Sequence, residues 1–339
     1  MKTVAKKDLE RILSGWAEKY EVFAPVWTEA GECLLGCFTP QAFTLDYKKL
    51  PLSPKGLFLP PTEIIFQFER GDYRDVLSRK DRIIFGLRPC DMMGLLQASS
   101  FMTRDHQDIY YQSRLNPAIT IVVACPQAQN DTCFCTTTLS GPVARKGFDL
   151  QFYDQGETFL VEAGSSRGRD LLSGLSLADM DETSARQRIS EFERHAVKSI
   201  PEAESVVEAM HKMGEQNDFS GVWEDLGARC IACGGCSFVC PTCTCFNVYD
   251  QAFSPERGVR VRAWDACLYG GFTREASGHN PRQTQAQRLR RRHEHKLRDY
   301  SKVDIQDGLC GCVGCGRCSD FCPVHIGTLE VARAISGAG

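Results

Sequence analysis

Cys230-Ile231-Ala232-Cys233-Gly234-Gly235-Cys236-Ser237-Phe238-Val239-Cys240-Pro241 and Cys312-Val313-Gly314-Cys315-Gly316-Arg317-Cys318-Ser319-Asp320-Phe321-Cys322-Pro323 are two copies of one pattern, C-x2-C-x2-C-x3-C-P. Together they take eight of the 18 cysteines. The spacing follows from the chemistry of a cubane, whose four iron corners each accept one soft thiolate. Cysteines three apart let one loop cover three corners, and the fourth cysteine of a doubled run ligates the other copy's cluster. Cys230, Cys233, Cys236 and Cys322 are therefore assigned to one [4Fe-4S] cluster, and Cys312, Cys315, Cys318 and Cys240 to a second. Gly234 and Gly235 in the first run, and Gly314 and Gly316 in the second, allow a tight loop and bring amide N–H groups near sulfur. Pro241 and Pro323 turn the chain away without needing a donor. Zinc knots fit less well, because zinc sites are usually built from C-x2-C pairs.

The remaining composition bounds the setting. The 339 residues suffice for two domains, and 42% hydrophobic with 24% charged residues describes an ordinary globular chain. A formal net charge of −3 gives no overall sign of nucleic-acid binding. No apolar run reaches the length of a membrane helix, so no membrane insertion is expected. The start, MKTVAKKDLERIL, lacks the apolar core of a signal peptide. A cytoplasmic location is the default, and there many thiols favour metal over disulfides. The oxygen sensitivity of cubanes as a class suggests an anaerobic setting.

Outward from the two runs, the fold class reads as α+β: a mixed α/β domain over 1–166, a helical connector over 167–224, and a mainly α-helical dicluster ferredoxin-like domain over 225–339. Leu9, Ile12, Leu13, Trp16 and Ala17 place an amphipathic helix within 5–20. Arg82–Leu87 and Ala118–Ala124 read as buried strands, ending at Arg88-Pro89-Cys90-Asp91 and at Cys125-Pro126, and Met92–Ser100 reads as a helix. Phe148–Tyr153 and Thr158–Ala163 suggest a hairpin around Asp154-Gln155-Gly156-Glu157. Ser184–Ser199 and Glu202–Met213 read as charged helices. About 70 residues separate the two runs. Cys240 must still fold back to the second run, so this insert is expected to be a loop or helical excursion whose ends meet.

Further residues extend the pattern: Pro241-Thr242-Cys243-Thr244-Cys245-Phe246, Trp264-Asp265-Ala266-Cys267, Gly278-His279-Asn280-Pro281-Arg282 and His295-Lys296 in the insert, with Arg88-Pro89-Cys90-Asp91, Cys125, Cys133-Phe134-Cys135 and Gly147-Phe148-Asp149-Leu150 before it. Together these resemble a family of dicluster iron–sulfur subunits that includes the iron–sulfur component of anaerobic sulfite reductase and the sulfhydrogenase β subunit, with relatives beside heterodisulfide-reductase-linked flavin oxidoreductases. The resemblance implies a hetero-oligomer in which this subunit relays electrons between a flavoprotein partner, binding FAD and NAD(P)H, and a catalytic or heterodisulfide-reductase-like subunit. It implies no bond chemistry here, and no G-x-G-x-x-G after a strand, P-loop or nucleophile elbow is present. The other readings are a stand-alone ferredoxin-like carrier and a reductase with its own N-terminal active site.

Ten cysteines lie outside the runs. Cys90 and Cys125 each follow a buried strand, and Cys133 and Cys135 can reach in from one loop. Four such thiolates would hold a third [4Fe-4S] cluster; the plainer alternative is buried apolar thiols. Cys243, Cys245 and Cys267 form a trio that His279 could complete, or simply pack beside the first run. Cys33 and Cys37 match no motif, and the register of the second run excludes Cys310. The basic stretch Arg288 to Arg298 admits three readings: a solvated helix, charge compensation for a cluster, and docking of an acidic partner. Trp264 and Phe272 are candidates for shielding a cluster or for plain core.

Overall fold

The computed structural model describes residues 1–338 apart from 79, 216–217 and 301–309. Its strands in chain order are β1 (Lys2–Ala5), β2 (Glu21–Trp27), β3 (Cys33–Cys37), β4 (Thr62–Glu69), β5 (Asp72–Asp75), β6 (Arg82–Leu87), β7 (Ala118–Val123), β8 (Leu150–Asp154), β9 (Thr158–Ala163), β10 (Ala178–Asp179), β11 (Phe246–Ser254) and β12 (Arg257–Trp264). The helices are α1 (Leu9–Ala17), α2 (Pro89–Thr103), α3 (Ile109–Leu115), α4 (Ser166–Ser173), α5 (Glu182–Ser199), α6 (Glu204–Gly214), α7 (Ser220–Arg229), α8 (Gly235–Phe238), α9 (Gln285–Glu294), α10 (Arg317–Phe321) and α11 (Thr328–Ser336).

The apolar runs of β6 and β7 become the centre of an eight-stranded sheet, ordered β10-β1-β9-β8-β7-β6-β2-β3. β2, β6, β7 and β8 pair in parallel, and the flanking pairs are antiparallel. A parallel strand covered on both faces has no solvated side, which is why RIIFGL and AITIVV do not alternate. On one face lie Leu9, Leu13 and Trp16 of α1 with Phe85, Ile121 and Phe152. On the other, Met92 and Leu95 of α2 and Tyr111 of α3 pack on Ile84 and Val122. The expected hairpin is present as β8–β9. The helix within 5–20 begins only at Leu9, because Lys2–Ala5 joins the sheet as β1 beside β9.

Two further segments differ from the sequence reading. The insert is only partly the expected loop and helix: α9 lies in it, but its first half rises as the β11–β12 hairpin. That hairpin joins β4 and β5 in a second sheet, ordered β11-β12-β4-β5, which ties the insert to the N-terminal region. The alternation Val259-Arg260-Val261-Arg262 carries this strand in period two. Arg262 is buried and its Nε donates to Glu63 at 2.7 Å, while Arg114 bridges the same carboxylate at 2.7 Å. The segment read as connector contains β10, which pairs with β1, and its end packs as part of the C-terminal core. Val206, Ala209 and Met213 of α6 and Trp223 and Leu226 of α7 lie there with Leu289 of α9 and Val331, Ala332 and Ile335 of α11.

Candidate metal sites

The two cysteine runs adopt the same backbone. The residue before the second cysteine has φ +55° at Ala232 and +59° at Gly314, and the residue after it has φ +74° at Gly234 and +71° at Gly316. A left-handed pair around the second cysteine wraps the loop so that three thiols face one volume, and a one-turn helix, α8 or α10, then presents the third. Gly314 is further fixed by the N-terminal domain: a Cβ there would lie 2.5 Å from the Phe134 carbonyl oxygen.

Cys230, Cys233, Cys236 and Cys322 line one small cavity, walled by Leu268, Leu289 and Ile326. The crossed fourth cysteine therefore reaches the first run. Donors already point at these sulfurs. Gln285 Nε2 donates to Cys230 Sγ at 3.2 Å, and the Ile326 amide to Cys322 Sγ at 3.4 Å. In the second run the Thr328 amide donates to Cys318 Sγ at 3.3 Å. Charge on Cys240 is felt by Cys315, and charge on Cys318 by Cys312, so these four thiols also share one neighbourhood. Burial pushes the Cys236 and Cys315 thiols up to about 11, as expected of sulfurs removed from water.

Cys90, Cys125, Cys133 and Cys135 line a second small cavity. It sits beyond the carboxyl ends of the adjacent parallel strands β6 and β7, the usual place for a bound group in an α/β sheet. Pro89 opens α2, and the Asp91 carboxylate accepts from the Arg88 amide at 3.2 Å, which sets Cys90 on the first turn. Cys133 and Cys135 enter on the loop that docks through the Phe134 amide onto the Gly314 carbonyl at 2.9 Å. Gly141 leaves room for Cys135: a Cβ would sit 2.7 Å from its Sγ. Burial raises Cys125 to about 11 and Cys90 and Cys135 further. Cys315 of the second run lines this cavity too, so the N-terminal set and the second run share a wall.

Charged side chains with no motif of their own organise that wall. Arg317 is buried; its Nη1 donates to Asp91 at 2.6 Å and its Nε to the Leu50 carbonyl at 2.8 Å. Despite its burial, Asp91 and the Cys315 and Cys90 sulfurs hold the guanidinium firmly protonated. Lys49 Nζ donates to the Cys315 carbonyl at 2.5 Å and pairs with Asp320 at 2.7 Å. Arg317 stands inside the second run and Asp91 inside Arg88-Pro89-Cys90-Asp91, but only the fold makes them partners. Lys49 carries no local signal.

The basic stretch divides by face. Arg290, Arg291 and Arg298 pair with Glu294, and the latter two also with Asp299. Arg292 is buried, and its Nη2 donates to the Cys236 carbonyl at 2.9 Å; Lys296 is also buried, and its Nζ donates to Thr242 Oγ1 at 2.7 Å. The solvated-helix reading thus fits one face and the charge-compensation reading the other. His293 is buried neutral, pushed down to about 3 by burial and by Arg292. His279 does not line the cavity of the Cys243, Cys245 and Cys267 trio; it is exposed and pairs with Glu275 at 3.3 Å. Trp264 is half-buried, stacked on Phe238 and hydrogen-bonded through Nε1 to the Leu59 carbonyl at 2.8 Å. Cys310 is buried, while Cys33 and Cys37 lie on the sheet-edge strand β3.

The donor sets fit cubanes better than single ions. Among the described residues, no three His, Cys, Asp or Glu side chains converge as a single-ion site. Four thiols lining one cavity are what a cluster with four separate corners requires.

Residues 229–326 match the family model of the 4Fe-4S dicluster domain. Over 289 residues, 85% of this chain and 84% of the relative, the sequence is 29% identical to sulfhydrogenase 2 subunit beta of Pyrococcus furiosus. No solved structure matches the chain. The resemblance read from the motifs therefore holds across most of the length. No helix among the described residues is long and apolar enough to cross a membrane.

Proposed function

We propose that this chain, a dicluster iron–sulfur protein similar to a sulfhydrogenase β subunit, is the electron-relay subunit of an anaerobic, cytoplasmic oxidoreductase complex. Its partners are a flavoprotein that binds FAD and NAD(P)H and a catalytic or heterodisulfide-reductase-like subunit. One observation carries the reading: three sets of four thiols stand in sequence, each sharing a boundary with the next. Cys236 of the first set feels charge on Cys318 and Cys240 of the second, and Cys315 of the second lines the cavity of the third. The chemistry that [4Fe-4S] clusters supply when bound is one-electron transfer.

The residues of the chain do the rest. Cys230, Cys233, Cys236 and Cys322 would hold one cluster, Cys312, Cys315, Cys318 and Cys240 a second, and Cys90, Cys125, Cys133 and Cys135 a third. Leu268, Leu289 and Ile326 form the apolar wall of the first site, whose Cys233 stands at the surface. Amides and Arg317 turn positive charge toward the sulfurs, which favours the reduced form of a site whose oxidised form is already anionic.

Metal and sulfide analysis of anaerobically prepared protein tests the reading. These three clusters account for about 12 irons per chain, and Cys133→Ser is expected to remove about four of them. Protein that holds zinc in place of iron ends the proposal. Gel filtration of native extract tests the partners: a subunit elutes with companions, a stand-alone carrier as a monomer.

A further inference from the structure

We propose that Cys243, Cys245 and Cys267, with the imidazole of His295, hold an additional iron–sulfur cluster beside the second cysteine run. This goes beyond the relay described above, which does not need it. The three thiols and His295 line one cavity, together with Arg292 and Lys296. The hairpin brings them there. Cys243 and Cys245 lie just before β11 and Cys267 just after β12. The Asp265 amide donates to the Cys245 carbonyl at 3.1 Å, which fastens the base of the hairpin. Cys245 and Cys267 are in side-chain hydrogen-bond contact, as are Cys243 and Cys240, so the trio abuts a residue assigned to the second cluster. His295 opens a π-helical turn, His295–Asp299, that follows α9. Such widened turns recur at functional sites, where they re-aim one side chain.

A second, independent observation concerns charge. Lys55 is only 4% exposed, and its Nζ donates to the Cys243 and Ser237 carbonyls, at 3.0 Å each, 4.4 Å from the centroid of the Trp264 ring. Arg292 is 1% exposed. Lys55 pairs with no carboxylate among the described residues, whereas Arg292 already feels the charge of Cys236 and Cys318 of the first two sites. A buried cation without an anion is costly, by several kcal/mol even after relaxation. Thiolates gathered on a metal cluster supply that anion. Protonated, unmetallated thiols do not. The donors ring a cavity instead of meeting at one point, which favours a cluster over a lone zinc.

The test is iron and acid-labile sulfide in anaerobic holoprotein, compared across variants. The added cluster raises the intact chain to about 16 irons. Cys267→Ser is expected to lose about four irons that Cys133→Ser keeps, and the reverse, so the two sites are read separately. Because Cys267→Ser could simply misfold, the intact protein gives a second readout. Pulsed EPR of the reduced protein should show nitrogen coupling from a ligating imidazole, and His295→Cys should abolish that coupling while keeping the iron. Full iron in Cys267→Ser, stoichiometric zinc, a Cys245–Cys267 disulfide in native mass spectrometry, or no nitrogen coupling would each overturn this assignment and leave the relay of the other three sites standing.

Discussion

At the scale of single residues, the chain buries charge where sulfur gathers. Arg317 and Asp91 form a buried pair between the second run and the N-terminal cysteines. Removing one partner leaves the other charge in a low-dielectric wall. Arg317→Met is expected to cost about 3–5 kcal/mol, read as a lower denaturation midpoint, with a negative shift of the neighbouring potentials in a redox titration. His293 supplies a pH dependence. Its Nδ1–H donates to the Leu289 carbonyl at 3.0 Å, and its Nε2 accepts from Arg292 at 3.1 Å, so the folded ring has no site for a second proton. The folded pKa of about 3 lies below the unfolded value of 6.5, so the unfolded chain binds the extra proton. This contribution is complete above pH 6.5 and is lost as pH falls toward 3. At pH 5 the loss is about 2 kcal/mol, and His293→Asn is expected to flatten that limb in urea titrations at pH 7 and pH 5.

At the scale of elements, close packing rather than helix propensity fixes the sites. Helix α2 runs against the first cysteine run at Gly94, where a Cβ would sit 2.5 Å from Pro241 Cβ, next to Cys240. Gly94→Ala gains helix propensity yet must push α2 off that contact. The expected net is a destabilisation of about 1–3 kcal/mol, with faster loss of iron to a chelator than in the unaltered protein. The same substitution at Gly15, where nothing lies within 4 Å, serves as the control and is expected to leave iron release unchanged. The β11–β12 hairpin is an element whose purpose shows only at its base. Its first strand is mostly exposed, but its ends deliver Cys245 and Cys267 to one cavity.

At the scale of the whole molecule, the N-terminal domain and the cysteine runs close on each other through one wall. Thr132 and Asn130 donate to Asp320, at 2.6 and 2.7 Å, and Lys49 pairs with it. Asp320→Ala is expected to loosen this seam by about 1–3 kcal/mol, visible as faster amide exchange over 128–135 and earlier release of the iron held by Cys133 and Cys135. Much of this protein is legible in the chain. The doubled run sets its own loop geometry, since cysteines three apart can reach three corners of one cube whatever surrounds them. The buried strands before Cys90 and Cys125 are legible because strands covered on both faces read as unbroken apolar runs. Other features are not local. β1 and β10 are short, and the neighbours that pair with them hold them in place. The hairpin in the insert escapes a sequence reading because β11 is almost wholly exposed and carries no apolar alternation, and β12 finds its other partner, β4, nearly 200 positions away. His295, and not His279, lines the cavity of the trio, because the turn after α9 and not sequence distance brings it there. Lys49, Lys55 and the Arg317–Asp91 pair join residues more than 180 positions apart. Ligand spacing is a property of one loop, so the sequence alone determined it. Charge balance around a buried anion is a property of everything that folds against it, so only the tertiary structure decided which cations stand there.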